Sequence, residues 1–149
     1  MSLQRARGRV RRGNVILEFG LAFPLLVTFM SGMFQFGYSF FVYNQLQSAI
    51  RTGARYGSTA DFDGAGAGAD YTTRVRNMVV YGTPTAGSVE VVRGLSPVNV
   101  AVNWVADGVG IPQVVTVNIQ AYNLWAVWGT FTLTNKPRSV FIYLGQYLS

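Results

Sequence analysis

At 149 residues, half of them hydrophobic and only 12% charged, the chain has room for one compact domain and an apolar anchor, but it carries far less charge than the roughly 25% usual for a soluble protein. Its formal charge of +6 does not describe a nucleic-acid surface, because Arg5, Arg7, Arg9, Arg11 and Arg12 crowd the first 13 residues and the remainder holds seven basic against six acidic residues. With no cysteine and no histidine, disulfides, thiolate ligands and the commonest general base are missing, so no catalytic residue, metal ligand or cofactor is expected and the chain is not read as an enzyme.

Residues 1–13 read as a basic leader. From Val15 to Tyr43 the only acidic or basic residue is Glu18, and this run exceeds the roughly 20 residues needed to cross about 30 Å of hydrocarbon. Residues 15–43 are therefore expected to be the transmembrane part of a helix over 14–57, since Tyr43, Leu46, Ile50 and Ala54 continue the helical spacing beyond the lipid. Gly57 and Ser58 suit its C-terminus, with Arg51 and Arg55 near the negative end of the helix dipole. The arginines are expected to hold the N-terminus in the cytoplasm and to send the C-terminal part across the cytoplasmic membrane. A secretory signal peptide fits less well, because its apolar core ends after about 7 to 15 residues and here the apolar and aromatic run continues to Phe41.

Residues 58–70, STADFDGAGAGAD, read as a flexible small-residue linker. A second helix is expected next, with Asp70 as N-cap, Tyr71, Val75, Met78 and Val79 on one face, and Gly82 and Pro84 as its stop. The period then changes to two. Val89 and Val91, then Val98, Val100 and Val102, then Val115, Val117 and Ile119 alternate as half-buried strands do, and Thr130–Thr134 and Ser139–Leu144 add two more. Residues 71–149 are thus expected to form a small α+β outer domain with an antiparallel sheet.

The order Gly13, Asn14 and Glu18 in RRGNVILEFGLAFPLLV narrows this reading, together with Pro24, the Gln35-Phe36-Gly37 turn, and Asn44-Gln45-Leu46-Gln47 leading into Arg51-Thr52-Gly53-Ala54-Arg55-Tyr56. These residues resemble the TadE-like pseudopilins, members of the wider group of type IV pilin-like proteins. The resemblance is carried mainly by residues 11–57. It implies that a prepilin peptidase cuts between Gly13 and Asn14, that Asn14 becomes the first mature residue and Glu18 the fifth, and that the helix then assembles with other pilin subunits into a surface filament.

Within that reading Glu18 would meet the free α-amino group of Asn14 on a neighbouring subunit. The plainer alternative is a carboxylate close to the headgroups and favoured by the positive helix end. Pro24 removes a backbone donor, either unwinding the helix for subunit packing or producing an ordinary membrane kink. Gly20, Gly32 and Gly37 offer places for close helix approach. Trp104, Tyr122, Trp125 and Trp128 are candidates for a sugar- or surface-binding patch, with core packing as the commoner use of such residues. Asp61, Asp63 and Asp70 lack the spacing of an EF-hand loop and read as solvated. The expected partners are membrane lipid, the peptidase and other subunits, with no nucleic acid. The competing function is a monomeric, membrane-tethered binding module outside the cell membrane, which would not need cleavage at Gly13.

Overall fold

The computed structural model describes residues 7–63, 68–108, 110–126, 129–145 and 147–148. The chain divides into two units, Met1–Tyr38 and Ser39–Ser149, and the first helix, α1 (Arg7–Thr59), contributes to both. It is longer at each end than the 14–57 read from the sequence. Arginine is a good helix former, so nothing in residues 7–12 stops the helix from continuing towards the N-terminus.

In the first unit every described side chain from Asn14 to Met30 is exposed, apolar ones included. Nothing in the unit covers them. In the second unit α1 becomes amphipathic, burying Val42, Leu46, Ala49, Ile50 and Ala54 along one face while Asn44, Ser48, Arg51 and Arg55 stay exposed. Tyr43, expected on the buried face, is half-buried, and Val42 takes the place one residue earlier.

The last carbonyls of any α-helix lack partners within it, and here the domain supplies them. Tyr71 donates its hydroxyl to the Gly57 carbonyl, Leu144 its N–H to Ser58 at 2.7 Å, and Tyr143 its hydroxyl to Ala60 at 3.0 Å. Ser58 adds a local cap, its Oγ donating to the Arg55 carbonyl at 2.8 Å.

The segment after α1 is not the free linker expected from its composition. Phe62 is buried in the core, and β1 (Phe62–Asp63) pairs in parallel with β7 (Tyr147–Leu148). One bulky ring among small residues is enough to anchor the backbone on both sides of it. Residues 64–67 lie outside the described residues.

The second helix, α2 (Ala69–Tyr81), starts two residues earlier than Asp70 would set as N-cap. Gly68 is the capping position, in the left-handed region at φ 69°, and Asp70 instead sits in the first turn, 3.1 Å from Arg74. Asp70 still favours the positive helix end. The buried face holds Tyr71, Val75, Asn77, Val79 and Val80, whereas Met78 is half-buried. Gly82, at φ 72°, closes the helix through its N–H to the Met78 carbonyl at 3.1 Å.

The alternating Val89 and Val91 do not form a strand. Both are exposed, and the segment is held by the Val91 N–H on Val80 O at 2.7 Å and by buried Val92 and Leu95. Alternation marks a strand only where one face meets a core, and here neither valine does. Val98 lies in a 3₁₀ turn, Pro97–Asn99, capped by reciprocal Ser96 and Asn99 bonds. From there β2 (Val100–Ala106), β3 (Pro112–Ile119) and β6 (Arg138–Ile142) form an antiparallel sheet in the order β2-β3-β6. A second antiparallel pair, β4 (Tyr122–Ala126) and β5 (Gly129–Leu133), makes a separate hairpin. The fold of the second unit is α+β.

Candidate functional site

Three surfaces bear on function: the apolar face of α1, the junction of α1 with α2, and a groove on the sheet. Each is built by residues of a single unit.

On the apolar segment, Leu21, Pro24, Leu25, Thr28, Phe29, Gly32, Met33 and Phe36 follow one helical stripe and frame a groove of about 930 Å³. Pro24 cannot donate to the carbonyl one turn back, and Thr28 donates its hydroxyl to the Pro24 carbonyl at 2.8 Å. Around Gly20, Gly32 and Gly37 a Cβ would meet nothing within 4 Å, so a neighbouring surface has room to approach. Phe19 and Phe23 stack one turn apart with ring centres 5.6 Å apart. Glu18 is exposed, one turn after Asn14, and is the only acidic or basic residue from Asn14 through Tyr43. The Gly13–Asn14 bond lies inside the helical stretch.

Across a membrane this segment has the required length and apolarity: among the described residues there is one candidate span, within Asn14–Thr59, with a mean hydropathy of 1.8. Its lining side chains would face lipid at little cost, whereas in water they would leave a large apolar surface uncovered.

At the junction, α2 crosses α1 over two glycines one turn apart. A Cβ on Gly53 would fall 2.1 Å from Val79 Cγ2, and one on Gly57 would fall 2.9 Å from the Tyr71 hydroxyl and 3.2 Å from Val75 Cγ2. Beside this crossing Tyr71, Phe62, Trp104 and Tyr143 form an edge-to-face aromatic cluster, with Phe62 ring centres 5.2 Å from Tyr71 and 5.4 Å from Trp104. Burial raises the Tyr71 phenol above its ordinary range, Tyr143 adding to the effect and Arg74 opposing it. Burial also raises that of Tyr143, against the lowering effect of its hydrogen bond with the Phe62 backbone.

The third surface lies on the β2-β3-β6 sheet. Val102 and Trp104 pair with Val117 and Val115 on the core-facing side, whereas the register Ala101–Asn118–Arg138 and Asn103–Thr116–Val140 defines the opposite side. A groove of about 630 Å³ opens there, reached also by Arg76 from α2. Among the described residues no carboxylate lines it.

The aromatic candidates separate. Trp104 belongs to the core cluster, and its residue also borders the groove. Tyr122 is buried, its hydroxyl donating to the Arg93 carbonyl at 2.8 Å. Trp125, three residues further along β4, faces the other side of the hairpin and is 69% exposed. Trp128 lies outside the described residues. The sequence reading missed the roles of Gly53 and Gly57 at the crossing, although their four-residue spacing is a visible small-x-x-x-small signal, and it missed Arg76 and Arg138, which no sequence spacing links.

Residues 13–55 match the family profile described as TadE-like protein. Over these residues α1 is similar to TadE-like proteins. The TadE-like match takes in Gly13, Asn14, Glu18, Pro24 and Gly53 and stops at Arg55, so the second unit beyond α1 lies outside it. Neither a curated protein nor a solved structure matches the chain. A TadE-like match points to a protein associated with a Tad pilus, a structural role at a membrane.

Proposed function

We propose that the chain is a membrane-anchored pilin or pseudopilin subunit of a Tad-like pilus, made ready by cleavage between Gly13 and Asn14 and assembled through its N-terminal helix. The observation that carries this reading is the start of the TadE-like match at Gly13, five residues before the lone carboxylate Glu18. In the membrane the five leader arginines keep the N-terminus cytoplasmic and the second unit outside. After cleavage the α-amino group of Asn14 is cationic at neutral pH and answers Glu18 of the next subunit. Pro24 and the open glycines supply the groove into which a neighbouring helix packs. Partners in this reading are lipid, a prepilin peptidase and other pilin subunits, and the mature subunit ends in a surface filament.

N-terminal mass spectrometry on membrane and sheared-filament fractions tests it. The expected filament species starts at Asn14, and Gly13→Leu retains the leader and stays in the membrane. Filaments built from uncleaved chain would overturn the proposal. A second reading, a tethered monomeric binding module, draws its support from the polar groove on the outer unit, and it predicts an uncleaved chain that is absent from filaments.

A further inference from the structure

The groove on the open side of the sheet has a donor and acceptor pattern that no packing role uses. Arg76 is fixed by its Nε donating to the Val100 carbonyl at 3.0 Å, which holds the guanidinium at the groove rather than sweeping through solvent. Arg138 stands on β6 beside Asn118 of β3. Neither arginine forms an ion pair among the described residues, and residues 108–149 contain no aspartate or glutamate to neutralise them.

Asn118 is the telling residue. It lies on the side of β3 away from the core yet is only 7% exposed, and its Nδ2 donates to Asn135 Oδ1 at 3.3 Å. That bond leaves its side-chain oxygen as an acceptor on the groove floor, and Asn103 and Gln120 add two more amides to the lining. That oxygen is not sealed from solvent, so a ligand that donates can bond it in place of water. A bare phosphate offers the arginines their charge but would set its own oxygens against the amide oxygens. A ligand with one anionic group and several hydroxyls satisfies both sets. The volume of about 630 Å³ is within the range of small-molecule sites.

We propose that this groove binds acidic saccharides, with the sugar carboxylate between Arg76 and Arg138 and hydroxyls donating to Asn118 and its neighbouring amides. The proposal applies to a polymerised subunit and to a tethered monomer alike. The full chain in detergent micelles would be titrated calorimetrically with a galacturonate oligosaccharide, a neutral malto-oligosaccharide of the same length, poly-glutamate and inorganic phosphate. Arg138→Gln and Asn103→Ala, both at exposed positions, would be compared after thermal melts confirm their folds. The acidic saccharide is expected to bind at least about tenfold more tightly than the other three probes, and Arg138→Gln to lose about tenfold, the usual scale of one charge-assisted hydrogen bond. Asn103→Ala is expected to weaken the saccharide without affecting phosphate. Equal binding of the neutral sugar, binding of poly-glutamate or phosphate as tight as the acidic saccharide, or unchanged affinity in Arg138→Gln would each overturn the proposal.

Discussion

Gly53 of α1 and Val79 of α2 are in such close contact that a Cβ at position 53 would stand 2.1 Å from Val79 Cγ2. Elsewhere a glycine-to-alanine change within a helix gains about 1 kcal/mol from propensity. Here the added methyl must push two helices apart in a packed core, which typically costs about 1–3 kcal/mol. Gly53→Ala is therefore expected to lower the melting temperature of the full chain in detergent. Val79→Ala in the same chain should restore part of the loss, giving a double-mutant cycle that departs from additivity. A neutral or stabilising Gly53→Ala would show that the crossing relaxes freely.

Phe62 is expected to matter more than its setting among small residues suggests. Its ring touches Tyr71, Trp104 and Tyr143, and truncating a buried phenylalanine typically costs about 3–5 kcal/mol. Phe62→Ala should destabilise the second unit by that order, measured by chemical unfolding, and should speed amide exchange in the first turn of α2. Exchange there equal to wild type would mean that α2 is held without the cluster.

The raised phenols of Tyr71 and Tyr143 make the second unit sensitive to alkali. Each favours the neutral form in the folded state, so its contribution is fully present below the unfolded value near 10 and is lost as pH rises towards the folded value. Melting temperature is expected to be flat with respect to these groups up to about pH 9 and to fall above pH 10. In Tyr71→Phe the fall should be shallower. The same variant leaves the Gly57 carbonyl without its donor, at a cost of about 1–3 kcal/mol at neutral pH. A pH profile identical to wild type would remove Tyr71 as the titrating group.

If the chain is a pilin subunit as proposed, Glu18 separates anchoring from assembly. Replacing it with alanine removes a charge from an otherwise apolar helix and is expected to leave membrane insertion intact or improved. The ratio of sheared-filament to membrane protein should drop strongly in Glu18→Ala and to an intermediate level in Glu18→Gln, which keeps hydrogen bonding without charge. Equal ratios in all three chains, with leader removal confirmed in each, would end the proposed pairing with Asn14.

What the sequence made visible follows from how locally each feature is encoded. An apolar run of membrane length with a single carboxylate announces an anchor, because lipid imposes its demand residue by residue. Helix α2 was readable from Tyr71, Val75 and Val79, but its first residue was not, since Gly68 and Asp70 both suit a helix start and only backbone geometry chooses between them. Val89 and Val91 misled for the opposite reason, their alternation having no partner strand to give it meaning. Phe62 in a run of alanines and glycines showed nothing of the three rings it would meet, because those arrive from positions 71, 104 and 143. Arg76 and Arg138 are distant in the chain and become neighbours of one groove only through strand register and the reach of α2.

The carbonyls of Gly57 and Ser58 at the end of α1, and of Ala60 just past it, are bound by Tyr71, Leu144 and Tyr143, so the second unit grips the end of the helix with α2 and with the segment after β6. A tensile load drawn along α1 therefore reaches the segment after β6 directly, while the β4–β5 hairpin stays off the load path. Mechanical strength is expected to reside in this clasp: in single-molecule pulling, Tyr143→Phe should lower the unfolding force of the outer unit and Trp125→Ala, on the hairpin surface, should leave it unchanged. A chain built this way would meet traction where α1 is clasped.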